Sequence, residues 1–168
     1  MPISMYQASV PPIKKMLSNL DHILTLAQTH AEAKKIDPSV LVQVRLFPDM
    51  LPLVKQVQIA TDQAKGGCAR LAGLPPPSYE DNETTIQELR DRITKTISFL
   101  DSIKPEQIDG SEEREIKFMV RDHQFEFLGS NYLTTWILPN FFFHVTTAYN
   151  LLRHNGVEIG KRDFLGQI

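Results

Sequence analysis

The chain has 168 residues, of which 42% are hydrophobic and 23% charged, the composition of an ordinary globular protein. Its net charge of −2 gives no support to a nucleic-acid-binding or polybasic membrane surface. The single cysteine, Cys68, excludes an intramolecular disulfide and any multi-cysteine zinc site. No apolar run approaches the roughly 18 residues of a membrane span, and the N-terminus lacks a signal-peptide pattern, so we expect a cytoplasmic protein without membrane or nucleic-acid partners.

The first long helix is predicted from apolar residues that recur at spacings of three and four. Pro11 and Pro12 would break a helix interior but fit a first turn, so the pattern favours Ser9 as the N-cap. The helix is expected to run to about Ala31 and to be followed by a short helix capped at Asp37. Its apolar seam contains Tyr6, Val10, Ile13, Leu17, Leu20, Leu24 and Ala27.

Two further long helices are predicted on either side of an extended crossing at the three prolines 75–77. Asp49, directly after Pro48, is placed to cap the second helix, which stops at Gly73. The third helix begins near Glu83 and ends before Pro105. The inward residues are Val54, Val57, Thr61, Ala64, Cys68 and Leu71 in the second helix, and Ile86, Leu89, Ile93, Thr96, Ile97 and Leu100 in the third.

The hydrophobic pattern changes in the last third of the chain, because apolar and polar residues alternate with period two over residues 115–121 and 124–128. This predicts a small β-hairpin with Asp122 and His123 at its turn. Ser130 is placed to cap the last long helix, from about Asn131 to His154. We therefore expect an all-α fold over one domain, residues 1–168: a four-helix bundle with a short β-hairpin before the last helix. The seam of the last helix contains Ile137, Phe141, His144, Ala148 and Leu151.

His144 is the residue that points most directly to chemistry, because it lies in that seam among phenylalanines and is expected to be largely buried. It is either a metal ligand or general base inside the bundle, or a core histidine satisfied by one hydrogen bond. Gln56 and Asp49 belong to a polar stripe on the second helix and could approach His144 if the two helices are neighbours. Otherwise Gln56 lies on a solvated face and Asp49 only caps the helix. Arg45 could pair with a buried carboxylate or with solvent.

Several short blocks along the chain carry a resemblance to a known family. They are residues 45–50, 56–57, 60–62, 70–73, 139–144 with 148–149, and 152–166. Together they resemble a family of domains of unknown function related to the DinB/YfiT-like metalloenzyme superfamily. The resemblance covers essentially the whole chain and implies a bundle of the DinB type, often dimeric.

The resemblance also implies which residues stand at the superfamily's metal site. That superfamily binds a divalent metal through three histidines, one on the second helix and two on the last. These positions correspond here to Gln56, His144 and Ala148, so only His144 is retained. The resemblance thus implies a degenerate site: no cofactor is expected, although zinc or nickel stays possible. Tyr149 adds a phenol, which completes a candidate polar pocket of Arg45, Asp49, Gln56, His144 and Tyr149.

Two functions follow as expectations from the resemblance and the altered site. The first is a small-molecule-binding or structural protein, and the alternative is a metal-dependent thiol transferase or isomerase whose site around His144 has changed. Whether the protein is an enzyme stays open. A homodimer is expected from the resemblance and from Tyr132 and Trp136, aromatic residues that the seam of the last helix does not use.

Overall fold

The computed structural model describes residues 2–167, and most of them are helical. Eight α-helices and one antiparallel β-hairpin follow each other along this part of the chain, which confirms the prediction of a helical fold with one short hairpin. The elements are α1 (Met5–Lys34), α2 (Pro38–Val42), α3 (Leu53–Leu71), α4 (Ile86–Ser102), α5 (Pro105–Ile108), β1 (Glu115–Val120), β2 (His123–Leu128), α6 (Gly129–Asn131), a π-helical turn (Tyr132–Ile137), α7 (Leu138–His154) and α8 (Lys161–Leu165).

The core lies between the four long helices. Helix α3 packs against α7 and α4, and α1 packs against α4 and α7. The predicted seams of all four helices are buried there, apart from the partly buried Tyr6, Ile97 and His144. Within residues 2–167 no helix is long and apolar enough to cross a membrane.

Helix α1 begins earlier than the sequence predicts. Ser4 is the N-cap and forms a capping box with Gln7, whose backbone N–H donates to Ser4 Oγ at 3.3 Å. The prediction of Ser9 as the cap is wrong, because its hydroxyl lies inside the helix and donates to the carbonyl of Met5. Pro11 and Pro12 therefore lie beyond the first turn and each removes a helical N–H donor.

The start of α3 also differs from its prediction. The helix begins at Leu53, and its N-cap is Pro52, which has no side-chain capping bond. Asp49 lies in the preceding loop with an exposed side chain, so its predicted capping role is wrong. The backbone N–H of Leu53 donates instead to the carbonyl of Val44 at 3.1 Å, which satisfies one of the donors that a helix start leaves free.

The hairpin turn lies one residue before its predicted place. His123 is already paired with Val120 in the sheet, so the turn consists of Arg121 and Asp122. Arg121 adopts the left-handed conformation with φ 51°. Ser130 lies within α6, where its backbone N–H donates to the carbonyl of Glu112 at 2.9 Å. The cap predicted at Ser130 is wrong, because the helical run starts directly from β2.

The π-helical turn connects the hairpin to the long α7. Pro139 cannot donate a backbone hydrogen bond, and the side chain of Asn140 donates to the carbonyl of Trp136 at 2.7 Å. Tyr132 is buried, and both Tyr132 and Trp136 lie with ring centroids 5.5 Å from that of Phe118. The hairpin therefore covers these two aromatic residues, and they give no support to a dimer interface.

Candidate functional site

Gln56 of α3 and His144 of α7 meet across the interface of their helices. Gln56 Oε1 lies 2.8 Å from His144 Nδ1, a hydrogen-bonding distance. Only 2% of Gln56 is exposed, so the alternative in which it lies on a solvated face is wrong. The sequence-based expectation that these two residues approach each other agrees with the geometry.

His144 is half-buried rather than largely buried. Burial nonetheless lowers the pKa of His144 below the usual histidine value of 6.5. The imidazole is therefore neutral at pH 7. The ring of Phe143, the preceding residue, stands perpendicular to it with centroids 5.2 Å apart.

The loop before α3 holds the other end of the Gln56 side chain. Gln56 Nε2 donates to the carbonyl of Leu51 at 3.0 Å. Arg45 braces the same loop by donating from Nη1 to the carbonyl of Met50 at 2.5 Å. Arg45 thus binds a backbone carbonyl and not the buried carboxylate considered from the sequence. Asp49 is exposed and makes no hydrogen bond or ion pair to any residue in the range 2–167.

Tyr149 does not join the pair. Its ring packs against Phe164 of α8, with centroids 5.8 Å apart. Ala148, one turn after His144, is fully buried in the core. Of the five residues of the candidate pocket, the structure therefore brings only Gln56 and His144 into direct contact. Arg45 and Asp49 stay on the loop surface.

A second polar cluster, centred on Arg92 of α4, did not emerge from the sequence reasoning. The Arg92 side chain is only 2% exposed and donates to Thr61 Oγ1, Asp62 Oδ1 and Glu83 Oε1 at 2.7–2.9 Å. It also donates to the carbonyl of Glu80. These bonds connect Arg92 of α4 both to α3 and to the crossing segment between α3 and α4.

Charge balance inside this cluster keeps Arg92 ionised. Burial alone would lower the pKa of Arg92, but the hydrogen bond that Arg92 donates to Glu83 and the charges of Asp62, Glu83 and Asp81 raise this pKa overall above its ordinary value. Arg92 also lies over the ring of Tyr79, 5.3 Å from its centroid. The sequence did carry a signal, since Arg92 lies on the same helix face as Leu89 and Thr96.

Comparison with known proteins decides the family. Residues 5–165 match the family model described as a domain of unknown function, DUF1993. The chain belongs to the DUF1993 family. It is also similar to a DinB family member protein from Shewanella denitrificans, whose crystal structure has 39% sequence identity and a TM-score of 0.87 and is matched over 97% of this chain and 92% of that chain. Among curated proteins none matches. The resemblance seen in the sequence is confirmed.

The donor groups of this DUF1993 chain do not fit a three-histidine metal centre. Gln56 supplies a neutral amide oxygen that is already bonded to His144, and Ala148 supplies no donor atom. In the described part of the chain no three side chains of His, Cys, Asp or Glu come together in a way that would hold a metal ion. One histidine and one amide fall short of the ligand number that zinc or nickel requires.

Proposed function

We propose that this DUF1993 chain is a four-helix bundle of the DinB type that binds a small molecule, and that the Gln56–His144 pair occupies the position of a metal centre. The observation that carries the proposal is the 2.8 Å contact between Gln56 Oε1 and His144 Nδ1. A metal held by both side chains would compete for the same two atoms. The pair instead joins α3 and α7 by a neutral hydrogen bond at the place where the resemblance puts the ligands.

The energetics of the buried amide support this assignment. Gln56 has both ends of its amide satisfied, by His144 and by the carbonyl of Leu51. Breaking such a bond costs roughly 1–3 kcal/mol when it leaves a buried polar group unpaired. An ion that displaced this hydrogen bond would leave the Gln56 amide unpaired and would also lose part of its own water shell. One histidine nitrogen offers too little binding energy to offset both costs.

Metal content tests the proposal directly. We expect protein purified without an affinity tag or chelator to contain no stoichiometric zinc or nickel. The double variant Gln56→His with Ala148→His should gain tight binding of one of these ions if the family geometry persists, because it restores all three histidines. The matched control Gln63→His with Ala148→His should not, because Gln63 lies about 10 Å further along the helix.

One result would overturn this function: stoichiometric metal in the unmodified protein that His144→Ala removes. That outcome supports the second candidate, a metal-dependent thiol transferase or isomerase with an altered site around His144. The partial exposure of His144 is the observation that favours this candidate. The measurement on the unmodified protein decides between the two even if the double variant does not fold.

Homodimerisation, which rests on the resemblance, and a cytoplasmic location, which rests on the sequence pattern, are further parts of the proposal. The hairpin packs against Tyr132 and Trp136, so these two residues do not support a dimer. Sedimentation of the untagged protein at micromolar concentration tests the dimer. A species at the chain mass of 19.1 kDa would contradict it.

A further inference from the structure

The orientation of the Gln56 amide determines which nitrogen of His144 carries the proton. The carbonyl of Leu51 can only accept a hydrogen bond, so the group that faces it at 3.0 Å must be the amide nitrogen of Gln56. The amide oxygen therefore faces His144, at 2.8 Å from Nδ1. An oxygen acceptor requires a donor, so neutral His144 carries its proton on Nδ1 and a lone pair on Nε2.

That lone pair is available to a ligand. Within residues 2–167, His144 Nε2 has no hydrogen-bond partner. It is not one of the fully buried polar atoms that lack a partner in that range, so it keeps some contact with solvent. Two residues next to the pair have exposed apolar side chains. Phe143 is 59% exposed next to the imidazole, and Leu51, whose carbonyl fixes the amide, is 44% exposed.

We propose that His144 Nε2 is the hydrogen-bond acceptor for a small molecule that carries an O–H or N–H group on an aromatic or aliphatic body. The donor of the ligand binds Nε2, and its apolar body packs on Phe143. Gln56 is the positioning residue, since it acts on the ligand only through the tautomer of His144. This inference rests on the proposed small-molecule function and names the class of ligand.

The tautomer is measured by long-range ¹H–¹⁵N correlation of the histidine rings at neutral pH. In the unmodified protein the Nδ1 signal of His144 should be that of a protonated nitrogen and the Nε2 signal that of an unprotonated one. Gln56→Leu removes the acceptor and should shift the population towards the other tautomer. Gln56→Glu retains an acceptor, so Nδ1 should stay protonated, and its negative charge raises the pKa of the ring and favours a proton on Nε2 as well. A protonated Nε2 in the unmodified protein would overturn the inference without any variant.

Two matched probes test the ligand class. Phenol and anisole have the same ring, but only phenol has an O–H donor. We expect phenol to shift the Nε2 resonance of His144 and to bind about 2- to 10-fold more tightly than anisole, which is the effect of one hydrogen bond. In Gln56→Leu this preference should disappear. Equal binding of both probes to the unmodified protein, or no response of Nε2 to phenol, would overturn the assignment.

The failure of this inference is distinguishable from the failure of the proposed function. The proposed function fails if the protein holds stoichiometric metal at His144. The inference fails in metal-free protein when Nε2 is protonated or when the two probes bind equally. The ring signals of the other histidines serve as internal controls, since none of them contacts Gln56 in the described chain.

Discussion

Replacing Arg92 by methionine tests how strongly the buried ionic cluster stabilises the fold. The substitution keeps most of the apolar stem and removes the guanidinium. Its partners then divide into two groups. Asp62 and Asp81 are 43% and 42% exposed at their side chains and can bind water, whereas Glu83, at 9%, stays buried beside Gln58. The main cost is therefore one uncompensated buried carboxylate.

The expected loss of stability follows from the number of carboxylates that stay buried without a partner. Removing one partner of a buried ion pair costs roughly 3–5 kcal/mol, because the remaining charge has lost its compensation. Since only Glu83 keeps a largely buried and uncompensated charge, we expect Arg92→Met to lower the free energy of unfolding by about 3 kcal/mol, near the lower end of this range. The buried hydroxyl of Thr61 adds little, because it still donates to the carbonyl of Gln58 at 2.8 Å.

Arg90→Met is the matched control on the same helix. Arg90 pairs with Asp21 at 2.9 Å, but both side chains are about one third exposed. Pairs of this kind contribute roughly 0–1 kcal/mol. Urea unfolding followed by circular dichroism measures both free energies, and an unchanged slope with denaturant shows that the folded state is retained. An Arg92→Met variant that loses no more stability than Arg90→Met would refute the reasoning.

Two further predictions concern α3 and α7. A methyl group at Gly67 would lie 2.8 Å from Ile137 Cδ1, so Gly67→Ala should destabilise by about 1–3 kcal/mol in thermal unfolding, whereas Gly66→Ala meets only the end of a flexible side chain and should be neutral or stabilising. Burial lowers the pKa of His144, so the unfolded chain binds more protons below about pH 6.5 and stability falls as the pH falls. His144→Phe should lose less stability than the unmodified protein between pH 7 and pH 5, and equal losses would contradict this.

The helices were predictable because burial leaves a period in the sequence. The seam of α3, from Val54 to Leu71, is buried at each predicted position. Helix starts were less predictable, since several residues can cap a helix and only tertiary contacts select one. Ser4 prevails over Ser9 through its capping box, and the N–H of Leu53 is satisfied by Val44 from a separate segment.

The candidate site likewise contains contacts that the sequence could predict and contacts that it could not. Gln56 and His144 could be paired from the sequence, because helical spacing placed each on a face and the family resemblance suggested that the faces meet. Asp49 was misplaced because its position depends on a loop, for which no periodicity exists. The Arg92 cluster was missed because the partners of Arg92 come from α3 and from the crossing segment, and no local pattern connects them to α4.

Polar contacts on two faces of α3 fix the rotation of this helix about its axis and thereby the geometry of the site. Gln56 faces α7, while Thr61 and Asp62 face Arg92 of α4. At about 100° per residue, Thr61 lies about 140° from Gln56 in one direction and Asp62 about 120° from it in the other, so both point away from Gln56. A rotation of α3 about its axis would keep much of its apolar contact, which is not directional, but would break the hydrogen bonds on both faces. The 2.8 Å contact at His144 therefore depends on an orientation of α3 that Arg92 also enforces.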